Sequence, residues 1–290
     1  MAGILSLLLA AASPALSAQA APPPPAPAAA PTAAPTIGYV DQADLALSAP
    51  VAAIVTIDRA TRLRDARATG VAAGSTRFYV EADVATLLKG TGGLASRVTY
   101  LVDVPNDARG RPARLRDRRV IVLARPVPAR AGELQLVAAD AQIDWTPANE
   151  AQLRAILTAA AAADAPPAVT GIASGFSVAG TLPGESETQL FVQTADRRPM
   201  TLSVLRRPGE TVRWAVSQTE IVDESAAPPP RDTLLWYRLA CGLPRTLPPT
   251  IAAGADAERI AADYQVVLDG LGPCERQRDE SETPTPAQSG

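Results

Sequence analysis

Hydrophobic and polar residues alternate with a period of two in several closely spaced stretches between Thr76 and Leu123. Phe78, Val80, Ala82 and Val84 alternate with Arg77, Tyr79, Glu81 and Asp83, the pattern of a strand with one wet face, and the segment ends in Leu87-Leu88-Lys89-Gly90. After a turn rich in glycine (Gly90, Gly92, Gly93), Val98, Tyr100, Val102 and Val104 alternate with Thr99, Leu101 and Asp103 and predict a second strand. A polar loop from Pro105 to Asp117 then leads into Val120-Ile121-Val122-Leu123, an apolar run short enough to be a strand covered on both faces. Together these predict the heart of a small antiparallel sheet or barrel. Val51 to Ile57, apolar and β-branched, supplies an opening strand that continues irregularly to Leu63, and Leu134–Val137 and Ala141–Trp145 add two short strands.

Thr146 before Pro147 is a helix start: a hydroxyl cap followed by a residue with fixed φ and no amide hydrogen to satisfy. Leu153, Ile156, Leu157 and Ala160 share one face of that helix, which is expected to close a first domain over residues 37–165. Asp164-Ala165-Pro166-Pro167 marks a junction. In the second domain, residues 166–274, Thr188, Leu190 and Val192 and then Met200, Leu202 and Val204 predict a hairpin about Ala195–Arg198, and Val212, Trp214 and Val216 a third strand after Pro208-Gly209. A three-stranded meander needs a cover. Two C-terminal helices are expected to provide it, one opened by Arg231-Asp232-Thr233 and ended by Gly242, the other beginning near Asp256 with Ile260, Tyr264, Val267, Leu268 and Leu271 on one side. The fold class is therefore mainly β (α+β): an OB-like antiparallel β-barrel domain, then a small β-meander domain with a C-terminal helical hairpin.

The order strand, Leu87-Leu88-Lys89-Gly90, strand, basic loop, buried strand resembles the OB-like barrel of netrin-module and tissue-inhibitor-of-metalloproteinase domains over roughly Val51 to Trp145. That resemblance implies a barrel and an extracytoplasmic setting; the N-terminal cysteine with which the animal inhibitors chelate a protease zinc is absent. Stretches such as Leu182-Pro183-Gly184-Glu185 and Leu234-Leu235-Trp236-Tyr237 are similar to uncharacterised secreted proteins of high-GC Gram-negative bacteria, which implies location.

The termini agree with export. Ile4 to Leu9 followed by alanines and Ala18-Gln19-Ala20 read as a signal peptide over residues 1–20, cleaved near Ala20, and no other stretch suits a transmembrane segment. Residues 21–36, almost only Pro and Ala, read as a disordered linker, and the acidic residues 275–290 as a disordered tail. Only two cysteines occur, Cys241 and Cys274, at the ends of two successive expected helices. An even count in an exported chain predicts a disulfide that pins the hairpin.

With 27 basic and 30 acidic residues the net charge is −3, so no field strong enough to gather nucleic acid is implied. The chain has no histidine, which removes imidazole catalysis and His-ligated metals, and no catalytic residue, cofactor or metal site is expected. Lys89, the only lysine, is expected as an exposed turn residue. Near pairs of carboxylates (Glu81 and Asp83, Glu185 and Glu187, Asp223 and Glu224) are of a kind that serves acid/base work or binds calcium, but nothing singles them out; Glu81 and Asp83 most simply form a solvated strand face, and Asp103, Asn106 and Asp107 an ordinary polar loop. Trp145, Trp214 and Trp236, with Tyr237, are of a type that forms carbohydrate or peptide platforms, but the tryptophans read as core, Trp214 being in phase with Val212 and Val216. The candidate ligand-binding cluster is Arg109, Arg111, Arg114, Arg116, Arg118 and Arg119, offset in part by Asp107 and Asp117, because clustered guanidinium groups hold phosphates or carboxylates bidentately, against the bland alternative of a solvated loop.

These readings predict a periplasmic or secreted, non-catalytic binding or envelope-associated protein, whose partner is an envelope protein, a peptide or an anionic ligand. Two alternatives stand beside it: an extracellular protease inhibitor or sensor, and a histidine-free enzyme using carboxylates.

Overall fold

The computed structural model describes residues 37–218, 227–251 and 255–277. The expected signal and linker, the pair Asp223 and Glu224, and most of the acidic tail lie outside them. The described chain is mainly β, with two antiparallel sheets and a few helices.

Helix α1 (Tyr39–Ser48) comes first, an element the hydrophobic pattern did not announce, and Pro50 follows its end. Strands β1 (Val51–Arg62), β2 (Ser75–Lys89), β3 (Arg97–Pro105), β4 (Arg119–Pro126), β5 (Leu134–Leu136) and β6 (Gln142–Asp144) build the first sheet in the order β3-β2-β1-β4-β5, with β6 also pairing β4. The pairing of β1 with β2 shifts register three times, the last between Ile57 and Arg59, where the irregular second half of β1 begins. The path is not closed by a strand ladder. Thr99 of β3 nevertheless bridges Glu133 in parallel, just ahead of β5, and its N–H donates to Gly132 O at 2.8 Å.

Both faces of β1 and β4 are covered, as their continuous apolar runs require. Val55, Ile57, Val120 and Val122 join Val80, Val98 and Tyr100 in one apolar cluster, whereas Ala52, Ile54, Ile121 and Leu123 face another. That second cluster takes in α1, helix α2 (Pro147–Ala161) and the inner side of the second sheet, so both sheets contribute to it. Thr146 Oγ1 accepts from Asn149 N at 3.0 Å and caps α2 as expected.

The second sheet has four strands rather than three: β7 (Val169–Ala179), β8 (Ser186–Thr194), β9 (Thr201–Arg206) and β10 (Arg213–Ser217), in the order β10-β9-β8-β7. The sequence pattern omitted β7 because two register shifts interrupt its alternation and only Ile172 is fully buried. Helices α3 (Leu234–Gly242) and α4 (Ala257–Leu271) cover the sheet, with all five residues expected on the apolar side of α4 buried. Gly270 of α4 lies against the Trp214 indole where any side chain would collide. Cys241 and Cys274 form a disulfide with Cα atoms 5.1 Å apart. Beyond it the chain straps back onto α1: Arg276 Nε donates to Asp44 Oδ2 at 2.7 Å and Gln277 N to Asp41 Oδ2 at 3.0 Å.

Candidate functional site

The arginine loop joins β3 to β4 and is shaped by its own aspartates. Asp107 Oδ1 accepts from the amides of Arg109 and Arg111, both at 2.9 Å, and turns the chain at Gly110, whose φ of 73° suits glycine. Leu115, buried in the cluster of the first sheet, anchors the far side of the loop.

The six candidate arginines divide into two groups. Arg118 pairs with Asp144 of β6, and the Arg119 guanidinium lies 4.1 Å from the centroid of the Trp145 ring. Trp145 Nε1 in turn donates to Glu150 at 2.6 Å, and this bond, with those from Arg154, holds the Glu150 carboxyl below the usual glutamate range. Arg118 and Arg119 are thereby committed to the junction of β6 and α2. Trp145, expected as core, is half-buried there.

Arg109, Arg111, Arg114 and Arg116 remain exposed on the loop. Arg111 approaches Asp107 at 3.6 Å, and Arg114 and Arg116 share Asp117 at 3.4 and 3.8 Å. Exposed pairs of this kind are worth about 0–1 kcal/mol and yield readily to a competing anion. Among the described residues the Arg109 guanidinium meets no carboxylate.

The strand register adds a second loop. β2 and β3 are antiparallel with Ser75 opposite Pro105, so the β1–β2 loop and the arginine loop leave the same end of the sheet. Asn106 N donates to Gly74 O at 2.8 Å, and Thr76 Oγ1 to Asn106 Oδ1 at the same distance, so the stems of the loops are joined. Arg62, Arg64 and Arg67 sit on or beside this loop, exposed and, among the described residues, without a carboxylate partner. Arg77 holds the loop in place through a bidentate bond to Asp103, 2.7 Å on each arm, and a bond to Thr69 O at 3.0 Å. The β1–β2 loop itself encloses an open depression of about 490 Å³, lined by Arg62, Arg64, Asp65, Arg77 and residues 71–76.

Residues 62–77 and 106–118 hold nine arginines and three aspartates, and with Asp103 and Asp144, which pair with Arg77 and Arg118, the excess is +4 in a chain of net −3, leaving −7 on the remainder. The end of the first sheet is thus strongly polarised relative to the rest of the chain. Arg62, Arg64 and Arg67 were missed in the sequence, where they lie some forty residues from the arginine loop. The signal that finds them is the antiparallel order of β1, β2 and β3.

Lys89 departs from expectation. It is half-buried, its Nζ donates to Ala46 O at 3.0 Å near the C-terminus of α1, and burial pushes its pKa down. The expectation of an exposed turn lysine failed because α1, which it caps, carried no sequence signal. Glu81 and Asp83 lie on the outer face of β2 with Arg59 and Arg97, and Asp103 and Asn106 serve the bonds already described. Among the described residues no cluster of His, Cys, Asp and Glu is arranged to hold a metal.

No protein-family model matches the chain, and no curated protein matches it.

Proposed function

We propose that this protein is an exported, non-catalytic binding module that holds an anionic ligand or partner of the cell envelope on the arginine-rich end of its first sheet. One observation carries the reading: two loops distant in sequence meet at one end and present seven exposed guanidinium groups, of which Arg62, Arg64, Arg67 and Arg109 lack a carboxylate partner among the described residues. Guanidinium groups favour phosphate, sulfate and carboxylate through paired N–H donors. The absence of histidine from the sequence supports a binding role over general-base chemistry.

The disulfide supports export, because such bonds persist in oxidising compartments. The pairing order, together with the Thr99–Glu133 bridge, supports reading the first sheet as a partly open OB-like barrel with its seam between β3 and β5, in keeping with the resemblance to netrin-module domains.

Titration of the mature protein with dextran sulfate at rising salt tests the reading. Affinity is expected to fall steeply as the Debye length contracts below about 10 Å. A variant with Arg62, Arg64, Arg109 and Arg114 changed to Ser is expected to lose binding with its melting temperature kept. Binding that ignores salt, or no binding, overturns the proposal.

A further inference from the structure

Strand β7 is one of the two edge strands of the second sheet, and its two halves differ. The first half is covered: Gly242 at the end of α3 lies so close to Val169 that an added Cβ would come within 2.7 Å of its carbonyl oxygen. The second half, Ser174–Ala179, pairs regularly with β8 on one side and with no strand among the described residues on the other. Edge strands of soluble proteins are usually protected by charge, proline or bulges. Val169–Ala179 contains no charged residue and no proline, and both register shifts fall in the covered half.

On the outer face beside this edge Phe176 (44% exposed) and Val178 (56%) of β7 and Phe191 (37%) of β8 are exposed, with Leu182 (58%) in the turn that follows, while Gln189 and Glu187 of β8 lie opposite Phe176 and Val178. The rings of Phe176 and Phe191 stand 6.0 Å apart. The inward residues of the open half, Gly175, Ser177 and Ala179, are small.

We propose that β7 pairs with β7 of a second copy of this chain, antiparallel about a two-fold axis, to make a continuous eight-stranded sheet. With the axis at Ser177, Phe176 of one copy lies beside Val178 of the second, and Gly175 beside Ala179. All these pairs lie within the open, regular half. Residues directly opposite in such a ladder point to the same face, so Phe176 and Val178 of the two copies meet on the outer side. Charge favours a second copy as the occupant: an uncharged strand sets no like charges opposite each other, the usual cost of self-pairing.

The contact is small: edge pairing covers the strand backbones and the flanks of Phe176 and Val178 and leaves the joined outer face in water, an interface below the ~1,200 Å² at the low end of specific complexes. Association is therefore concentration-dependent.

Sedimentation velocity of the mature protein over a wide concentration range is the test. A reversible monomer–dimer equilibrium is expected, weakened at least tenfold by Phe176→Glu and by Val178→Glu, with circular dichroism confirming that each variant folds. Mixed Phe176→Cys and Val178→Cys chains are expected to form a linked dimer that neither forms alone. A monomer at every concentration overturns the proposal, as does a dimer indifferent to both substitutions or cross-linking without that pairing preference.

Discussion

Asp263 of α4, fully buried, accepts a hydrogen bond from Arg206 Nε of β9 at 2.6 Å. Its other oxygen accepts from Thr188 Oγ1 of β8 at 2.5 Å, and Thr188 also meets Ser177 Oγ of β7 at 2.9 Å. One carboxylate thus ties the covering helix to three strands of the second sheet. Removing it takes the carboxylate from the Arg206 guanidinium and leaves the buried Thr188 hydroxyl with Ser177 alone, the costly direction for such a network. Asp263→Ala is expected to lower stability by about 3 kcal/mol in urea denaturation. A loss below about 1 kcal/mol, the value of an ordinary exposed pair, contradicts this account.

Reduction or Cys241→Ser is expected to lower stability substantially. The bridge closes a separation of 33 residues, for which the loop-entropy relation gives roughly 3.5–4 kcal/mol. It also anchors the segment whose Arg276 and Gln277 bind α1, so amide exchange near Asp41 and Asp44 is expected to rise on reduction. The native protein is expected to yield no titratable thiol when unfolded without reductant. Two thiols under those conditions contradict the bond.

Alkaline pH is expected to unfold the protein from above pH 10. Burial, then Asp232, pushes the Tyr39 phenol up to about 12. Burial also raises Tyr100, Tyr264 and Tyr237, the last helped by its hydrogen bond to Asp44. A phenol ionises near pH 10 in the unfolded chain, so these four contributions are fully present below that pH and are lost as pH rises through the folded values. Lys89 acts in the opposite sense below pH 10.5: burial lowers its folded pKa, and the penalty of holding it charged fades as pH rises. Denaturation midpoints between pH 8 and 12, followed with tyrosinate absorbance, check the sign. Stability that keeps rising past pH 10 contradicts it.

Within the arginine cluster, stability and binding are expected to separate. Arg119→Ala removes the contact with Trp145 and costs about 0.5–1 kcal/mol, and Arg118→Ala a comparable amount through Asp144. Arg109→Ala and Arg114→Ala, exposed on the loop, are expected to change stability by no more than about 0.5 kcal/mol while weakening polyanion binding. Equal effects across the four in paired melting and binding measurements contradict the division.

The residue pattern by itself determined the strands around Phe78–Val84, Val98–Val104 and Val120–Leu123, the cap at Thr146, the apolar side of α4 and the pairing of Cys241 with Cys274. Each of these is local or exhaustive: a period of two or 3.6 read over a few residues, a hydroxyl ahead of a proline, or an even count with a single possible partner. Tertiary structure alone decided the rest. Helix α1 is buried nearly all round, so it shows no polar stripe and its identity comes from packing between α2, α3 and the C-terminal strap. Strand β7 keeps half its residues exposed and shifts register twice, which erases the alternation that marks a strand. Which arginines meet was likewise invisible. Arg118 and Arg119 adjoin the loop in sequence yet turn to Asp144 and Trp145, while Arg62, Arg64 and Arg67 join it through the β2–β3 register. Adjacency in sequence fixes a side chain's neighbours only within a turn or a strand, and the company that charged residues keep at a sheet end is set by which loops the strand order brings together.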